Sequence, residues 1–416
     1  MDPSHDLTAP IDDPQKLPDG DAKSLERRVP TQGDRMTESR VVVVGGGIVG
    51  AMVADALTPS HEVILLERDE LAAGATGLSA GLVAPTLFYG DLPTVARYAN
   101  EAIRSFAGTG DFEFTERPRI DVVTEGEVSD ARQTASRLAA DGFPVTYLDR
   151  DAVEKRFPLV DLSDFTGALC YEDTGWVDPY TYAMELLRSA QNRGARVHIG
   201  VEVTAVREEG GSVRQVETTD GCLDTDAVVL AAGWQTPAVL PGSCTVPVVP
   251  YRTQCLVLEP DRPLDTHVPL GRVSSEDLYF RPEHNGDLLV GGSAHRCTDP
   301  TRESTQPDET FTHAVADVVP RLLEGFADAG VVNGWAGFDA ATPDARPIIG
   351  PLRDGPDGLL VATGFNGLGV MVGAIAGPIV REALGGPAAP FQTGPFSPDR
   401  FDGNDTSFEL RSTSDV

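Results

Sequence analysis

The chain has 416 residues, 41% of them hydrophobic, and its 64 acidic and 33 basic side chains give a formal net charge of −31. This length favours two domains, because a single hydrophobic core rarely grows so large. The acidity excludes a nucleic-acid partner, which requires a basic surface, and the sequence has no apolar run of roughly 18 residues that could span a membrane.

The acidic residues are spread along the whole chain. This distribution favours a general solvation strategy, typical of proteins from a salt-rich cytoplasm, over one acidic surface for a cationic partner, because salt screens the repulsion between like charges. The cysteine count is odd and no C-x-x-C pair occurs, which indicates a reducing cytoplasm and no metal site. The N-terminus is polar and acidic, unlike a signal peptide.

Both ends of the sequence are predicted to be disordered. Residues 1–38 are polar and interrupted by Asp-Pro and Pro-Asp-Gly breakers. Met36 stands shortly before the first strand and is therefore an alternative translation start. Residues 394–416 are dominated by Asp, Ser and Thr, which predicts a disordered tail.

The first predicted element is a strand–turn–helix unit. Four valines at 41–44 run into Gly45, Gly47 and Gly50, which fall on the G-x-G-x-x-G spacing. A second apolar strand ends in Glu67, 22 residues after Gly45, where its carboxylate is suited to a ribose hydroxyl. In such units the helix N-terminus binds a pyrophosphate. The pattern alone fits NAD as well as FAD, and a glycine-rich turn without a ligand is the alternative.

The elements that follow alternate in type along the chain. A helix is predicted from Tyr180 to Arg193, where Gly194 ends it, and another at 308–326. The last strand leads through glycines into a helix that runs on to Leu384. Strands are predicted at 119–123, 197–199, 201–203, 213–218, 223–230, 251–258, 278–282, 288–292 and 359–363.

Three junctions between a strand and glycine stand out, at residues 45–50, 231–233 and 364–369. The carboxyl ends of parallel strands meet at one edge of a sheet, where ligands bind. A nicotinamide dehydrogenase needs only the first junction. Three junctions from distant parts of the chain therefore favour a long, enclosed dinucleotide, and FAD is the predicted cofactor.

Several segments carry a family resemblance. They are GGGIVG at 45–50, LLER at 65–68, GATGLSAGL at 74–82, GWVDP at 175–179, VVLAAGW at 228–234, YFRP at 279–282, TPDARPIIG at 342–350 and ATGFNGLGVMVG at 362–373. In this order they make the sequence similar to the D-amino-acid oxidase superfamily of flavoproteins, which includes sarcosine oxidase, glycine oxidase and dimethylglycine dehydrogenase.

The resemblance implies an α/β fold of two interleaved domains. A Rossmann-type FAD-binding domain with a parallel sheet is expected from residues 39–88, 151–238 and 333–386. An α+β substrate domain on a mixed or antiparallel sheet is expected from residues 89–150 and 239–332.

The resemblance also implies which residues contact FAD. Glu67 is expected at the adenosine ribose, and residues 367–371 at the pyrimidine ring, where a helix N-terminus would stabilise negative charge. The other expected contacts are Ile48, Val49, Arg68, Thr76, Ser79, Gly81, Leu82, Val203, Ala232, Gly233, Trp234, Gly364, Gly367, Leu368, Gly369, Val370 and Met371.

The sequence departs from its relatives at positions with known roles. Some relatives tether flavin through a histidine or a cysteine, and the matching residues here are Leu78 and Gly337, so non-covalent FAD is predicted. Leu289 replaces the lysine that activates oxygen in monomeric sarcosine oxidases. The lysine and the arginine that bind substrate carboxylates match Met371 and Asp339.

Five residues are predicted to act near the reacting atoms. Tyr251 and Arg252 are candidates to bind a carboxylate, with a strand-edge aromatic beside a solvated arginine as the alternative. Tyr279 and Arg281 share one strand face, and Arg281 binds either a carboxylate or a neighbouring acid. Asn366 either contacts the flavin or substrate or caps a helix.

The sequence thus predicts a cytoplasmic FAD-dependent oxidoreductase that oxidises the C–N bond of a small amino acid or secondary amine by hydride transfer to the flavin. Oxygen or an electron-transfer acceptor would take up the electrons. One alternative is a 2-hydroxy-acid or glycerol-phosphate type dehydrogenase, which needs a base that no motif supplies. Another is a flavin-binding subunit of an electron-transfer complex.

Overall fold

The computed structural model of the protein describes residues 39–242, 244–264, 267–403 and 405–411. The predicted disordered extension at 1–38, with the alternative start at Met36, and residues 412–416 of the predicted tail lie outside these ranges. Within them, no helix combines the length and the apolar composition needed to cross a bilayer.

The strands are β1 (Arg40–Val44), β2 (Glu62–Glu67), β3 (Leu82–Val83), β4 (Phe114–Glu116), β5 (Arg119–Val123), β6 (Val145–Asp149), β7 (Gly167–Tyr171), β8 (Gly175–Val177), β9 (Arg196–Ile199), β10 (Val203–Glu209), β11 (Ser212–Thr218), β12 (Gly221–Asp224), β13 (Ala227–Leu230), β14 (Val249–Glu259), β15 (Leu270–Val273), β16 (Leu278–Pro282), β17 (Leu288–Arg296), β18 (Gly330–Ala341), β19 (Ile348–Pro351) and β20 (Leu359–Thr363).

The helices are α1 (Ile48–Leu57), α2 (Pro85–Tyr89), α3 (Pro93–Phe106), α4 (Val128–Ala140), α5 (Arg150–Arg156), α6 (Pro179–Asn192), α7 (Thr236–Val239), α8 (Glu309–Leu322), α9 (Gly369–Val372) and α10 (Ala376–Ala383). Two predicted helices need correction. The helix expected at 308–326 ends at Leu322, and the one expected to run to Leu384 is divided into α9, a 3-10 turn and α10.

Six strands form a sheet in the order β19-β20-β13-β1-β2-β9. All neighbours are parallel except β19 and β20. Val41 and Val43 face the helices, and Val42 and Val44 face the small sheet β10-β11-β12. Burial on both faces explains why β1 is a continuous apolar run. Because β1, β13 and β20 are parallel neighbours, the three glycine junctions lie at one edge of this sheet.

Eight strands form a second sheet in the order β18-β14-β17-β16-β15-β5-β7-β6. Its neighbours are antiparallel except β15 and β5, which are parallel. Helix α8 packs Phe311, Val315 and Val319 against one face, and the other face is turned toward the glycine junctions of the first sheet. The predicted fold class, a Rossmann-type parallel sheet interleaved with a mixed substrate-domain sheet, is confirmed.

Two predicted domain boundaries disagree with sheet membership. Strand β7 falls within the expected FAD-binding segment 151–238, yet it pairs with β5 and β6 in the second sheet. Strand β18 crosses the expected boundary at 333 and pairs with β14 along its length. A short apolar strand looks the same in either sheet, so the sequence pattern could not assign these strands to a domain.

The predicted disorder of the tail is wrong for residues 394–403 and 405–411. Two 3-10 turns occupy Gly394–Phe396 and Pro398–Arg400, and the Phe396 ring is fully buried near Tyr89. Farther on, Phe408 and Leu410 pack against the buried side chain of Tyr251. These apolar side chains bind the polar tail to the surface through burial.

Candidate active site

A cavity of about 940 Å³ lies between the carboxyl edge of the parallel sheet and the inner face of the eight-stranded sheet. This volume is at the upper end of the range for ligand pockets, roughly 300–1,000 Å³. All of the residues predicted to contact FAD line the cavity except Gly50 and Gly81.

The first glycine turn is shaped by close backbone approaches. Gly45 has φ +112°, and a Cβ atom there would lie 2.5 Å from the Ala231 carbonyl oxygen. A Cβ on Gly50 would lie 1.9 Å from the Gly45 carbonyl oxygen, so this residue lets α1 pack against the turn. The N-cap residue of α1 is Gly47, which has no side chain to cap the helix and lies on the cavity wall. A helix start of this kind suits a pyrophosphate.

Polar contacts hold the loop around this turn in place. The Glu67 carboxylate accepts hydrogen bonds from Gly46 N (2.7 Å) and Asp69 N (2.8 Å). Thr76 Oγ1 accepts a hydrogen bond from Ile48 N at 3.0 Å and is buried. These hydrogen bonds join β2 and the segment after it to the glycine turn. Glu67 and Thr76 also line the cavity.

Arg68 lies beside Glu67 at the same end of the cavity. Its guanidinium pairs with Asp69 at 2.8 Å and with Glu202 at 3.8 Å. The hydrogen bond to Asp69 is the main reason why the pKa of Arg68 is raised. Val203 and the junction after β13, which includes Gly233 and Trp234, complete the wall here.

The last glycine junction forms the opposite end of the cavity, where Gly364 (φ +71°) and Gly367 (φ +80°) are left-handed. The helix that follows is only four residues long, so its dipole is much weaker than the sequence prediction assumed. The Gly367 amide is also engaged, because it donates to Asp339 at 2.8 Å. The expected helix N-terminus begins at Gly369, two residues after Gly367, and its contact with the flavin stays a prediction.

Tyr251 and Tyr279 are brought together on the cavity face of the eight-stranded sheet, as predicted. Both are poorly exposed, and burial raises the pKa of each phenol well above its ordinary value. The ring of Tyr279 lies over Gly291 of the neighbouring strand β17, and its hydroxyl lies 3.8 Å from Cys255 Sγ. Both phenols are therefore neutral hydrogen-bonding groups at physiological pH.

Arg252 and Arg281 do not reach the cavity, which corrects the prediction that they bind a carboxylate there. Arg252 is 1% exposed. Its guanidinium donates to the carbonyl oxygens of Ser304 (2.9 Å) and Gln306 (2.5 Å) and pairs with Asp308 (3.0 Å). Arg252 therefore has a structural role.

Arg281 is held behind the cavity wall. Its Nε donates to the Ala80 carbonyl oxygen at 2.6 Å, and it pairs with Glu283 at 2.9 Å.

Asn366 does line the cavity, but its side chain bonds to Thr342 N (3.0 Å), Thr342 Oγ1 (3.1 Å) and the Gly364 carbonyl oxygen (2.5 Å). These bonds support the left-handed turn, and Asn366 does not cap the helix that follows, contrary to its alternative interpretation.

Three charged residues on strands of the eight-stranded sheet line the cavity and were missed as site residues by the sequence analysis. Arg119 and Arg272 are 2% and 8% exposed, and Arg119 Nε contacts Asp121 Oδ1 at 2.6 Å. They stand in the adjacent parallel strands β5 and β15. A charged residue within an otherwise apolar strand is the signal that could have identified them.

Asp339 is the third of these residues. It is half-buried, and its two oxygens accept hydrogen bonds from Ala340 N (2.7 Å) and Gly367 N (2.8 Å). Burial raises the pKa of Asp339 to about 6. The carboxylate lies opposite Tyr251 in the β14–β18 pair, so an acid faces the cavity where related oxidases carry an arginine.

The residues present fit a dinucleotide. Glycines let the backbone turn sharply beside the cavity at both junctions, the first helix presents its N-terminus, and the cavity runs on to the second sheet. No group of three His, Cys, Asp or Glu side chains in the described ranges is arranged to bind a metal. Fold and site together define a flavin-dependent oxidoreductase.

The chain belongs to the FAD-dependent oxidoreductase (DAO) family, whose profile matches residues 40–383, and FAD is its cofactor. It is 27% identical to the bifunctional protein ThiO/ThiG of Synechocystis over 88% of the chain and 54% of that protein. It is 24% identical to glycine oxidase of Pseudomonas putida over 86% of the chain and 98% of the relative. The chain spans about half the length of several curated relatives, 54% and 46% for two of them.

Solved structures share the fold. L-proline dehydrogenase from P. horikoshii matches with a TM-score of 0.79 at 22% identity, over 88% of this chain and 98% of that one. Glycine oxidase from Geobacillus kaustophilus matches with a TM-score of 0.74 at 22% identity, over 88% and 100%. The whole two-sheet architecture is therefore common to these proteins and this chain.

Proposed function

We propose that the protein oxidises the C–N bond of an amino acid or a secondary amine. The observation that carries this proposal is the shape of the cavity, which joins the glycine-lined edge of the parallel sheet to a sheet face with two phenols and two buried arginines. Relatives with the same family match include glycine oxidase, D-amino acid dehydrogenase and 4-methylaminobutanoate oxidase. Their names support an amine or amino-acid substrate here.

FAD supplies the redox chemistry by accepting a hydride from the substrate carbon. We assign Glu67 to its adenosine ribose, and the N-terminus of α1 at Gly47 to its pyrophosphate. Thr76, Ser79 and Leu82, together with residues 364–371, border the space left for the flavin ring. The tethering positions of relatives hold Leu78 and Gly337, so we infer non-covalent binding.

The chain's own side chains bind and orient the substrate. Arg119 and Arg272 form the positive end of the sheet face, and guanidinium groups suit a carboxylate. Tyr251 and Tyr279 stay protonated and offer hydroxyl groups to polar atoms of the substrate. The amine must be neutral when the hydride leaves its carbon, because only the nitrogen lone pair can stabilise the charge that develops there.

The electron acceptor is inferred from Leu289. This residue is 1% exposed and takes the place of the lysine that activates oxygen in monomeric sarcosine oxidases. An apolar side chain cannot stabilise negative charge on reduced oxygen. We therefore favour an electron-transfer acceptor over oxygen, in a cytoplasmic protein whose five cysteines are free.

Anaerobic reduction of the bound FAD tests the proposal. The purified protein is mixed without oxygen with sarcosine, proline, glycine, 4-methylaminobutanoate and D-amino acids, and with 2-hydroxy acids and glycerol phosphate as the competing class. Loss of the flavin absorption band with an amine supports the proposed function. Reduction only by hydroxy compounds, or by no compound in a broad amine panel, overturns it. Oxygen admitted afterwards shows by the rate of recovery whether oxygen is an acceptor.

A further inference from the structure

The acidic residues along the cavity have different settings. Glu67, Asp69 and Glu202 belong to the end assigned to the adenosine, where Arg68 pairs with two of them. Asp339 stands apart from these, on the face of the eight-stranded sheet beside Tyr251 and next to the last glycine junction. It is therefore an acid at the end of the cavity where the substrate reacts.

The contacts of Asp339 leave capacity for a ligand. An ionised carboxylate offers about four acceptor positions. Two are used by Ala340 N and Gly367 N, which hold the side chain in one orientation. Neither partner carries a charge, so the carboxylate is anchored without being neutralised. A half-buried anion of this kind is stabilised most by a cationic donor.

The setting also opposes a carboxylate at this position. In the glycine and D-amino-acid oxidases that the sequence resembles, the matching residue is an arginine that binds the substrate carboxylate. Here the charge is reversed, and a substrate carboxylate would be repelled. The two arginines of this sheet face are Arg119, which pairs with Asp121, and Arg272; they stand on β5 and β15, and β15 is four strands along the sheet from Asp339 on β18. Neither guanidinium is therefore placed to neutralise Asp339.

We propose that Asp339 is a specificity residue that binds the cationic nitrogen of the substrate and excludes carboxylates from this end of the pocket. The proposal rests on the proposed amine-oxidising function and specifies which charge the substrate site prefers. Substrates are then amines whose nitrogen lies at Asp339. An amino acid held by its carboxylate at position 339 is excluded.

The test uses a pair of inert aromatic ligands of opposite charge, benzyltrimethylammonium and benzoate. Neither can be oxidised at a C–N bond by hydride loss, and both perturb flavin absorption when they bind against the ring. Each is titrated into the FAD-loaded protein at constant KCl concentration. The wild-type protein should bind the cation at least about tenfold more tightly than benzoate, the effect of one ion pair in a partly buried site.

Variants separate the role of Asp339 from general charge effects. Asp339→Asn should lower the affinity for the cation about tenfold, Asp339→Glu should retain the preference, and Asp339→Arg should reverse it. Asp220→Asn removes the same charge from an exposed turn and should change nothing. Flavin content confirms that each variant is folded. A wild-type preference for benzoate, or an unchanged ratio in Asp339→Asn, overturns the proposal.

The two proposals fail in distinguishable ways. The ligand titration involves no turnover, so it reports on Asp339 whatever the reaction is. If no amine reduces the flavin but the cation preference depends on Asp339, the proposed function is wrong and the polarity of the pocket stands. If amines reduce the flavin but benzoate binds better than the cation, the function stands and this inference is wrong.

Discussion

Leu78 and Gly337 face each other on the cavity wall, so closely that a Cβ atom added to Gly337 would lie 3.0 Å from the Leu78 Cβ. These are the two positions at which relatives of this chain carry a histidine or a cysteine bonded to flavin. Two separate tethering positions of the family thus form one contact here, and neither residue carries a nucleophile. Trp335 secures the contact by donating from Nε1 to the Leu78 carbonyl oxygen at 2.9 Å.

All of the FAD should therefore dissociate on denaturation. Precipitation with acid is expected to leave a colourless pellet and to release flavin into the supernatant in proportion to protein. The measurement is the ratio of flavin absorbance in the two fractions, with free FAD added to a flavin-depleted sample as the control for trapping. A pellet that stays yellow after washing would contradict non-covalent binding.

Gly50→Ala should weaken FAD binding and reduce stability. The new Cβ would overlap the Gly45 carbonyl oxygen at 1.9 Å, so α1 must move from the turn that it completes. Overpacking of this kind costs about 1–3 kcal/mol, which corresponds to about tenfold or more in affinity. Gly126→Ala is the matched control, because no atom lies within 4 Å of its added Cβ and the residue is outside the cavity wall. Flavin content after dialysis measures both, and equal retention would refute the prediction.

Arg252→Met should reduce stability without changing substrate affinity. The substitution removes the guanidinium from two carbonyl oxygens and from Asp308, at a cost of about 2–4 kcal/mol in the free energy of unfolding. Urea unfolding measures this cost, and KM for a reducing amine should stay within about twofold. Arg214→Met, at an exposed site on strand β11, should cost about 0.5 kcal/mol. A large rise in KM with little loss of stability would show that Arg252 binds the substrate after all.

The free energy of unfolding should depend on pH through the titration of Asp339. Burial raises the pKa of Asp339 from 3.8 to about 6, so the folded state favours the protonated form. The ionised carboxylate therefore costs stability above pH 6, and the cost disappears as the pH falls from 6 toward 4. Relative to Asp339→Asn, the wild-type free energy of unfolding should increase by about 2 kcal/mol from pH 8 to pH 4. Urea unfolding of FAD-free protein measures this, and a constant difference would contradict it.

Salt should stabilise the protein most steeply at low concentration. The net charge of −31 produces self-repulsion, and the screening length falls from about 30 Å at 0.01 M salt to about 10 Å at 0.1 M. The melting temperature in KCl should therefore rise by several degrees and then level off. A rise that continues in proportion to concentration would indicate general salt exclusion instead of charge screening.

The dinucleotide half of the site could be predicted from sequence because its chemistry is local. Gly45, Gly50 and Glu67 can be recognised from their spacing alone. The more distant FAD-contacting residues were predicted from the family resemblance. The paired arginine candidates show the limit. Adjacent strand residues point to opposite faces, so Tyr251 and Arg252 could not both contact one substrate, and that rule alone would have removed one of them. Tyr251 faces the cavity, and Arg252 faces the loop before α8.

Other parts of the site depend on contacts between distant segments. Arg272 lies on a strand of only four residues that the sequence pattern did not reveal, and its neighbour β5 precedes it by about 150 positions in the chain. The role of Asp339 depends on an amide from Gly367. No local pattern reports which strands become neighbours, and that choice decides which charges meet in the cavity.

The packed tail affects how the protein should be handled. Phe408 lies under Arg296, and Leu410 and Arg411 form part of the cavity wall near Tyr251. A tag or fluorescent protein joined directly after Arg411 would therefore stand against this wall. Kinetic constants from such a fusion would describe a changed cavity.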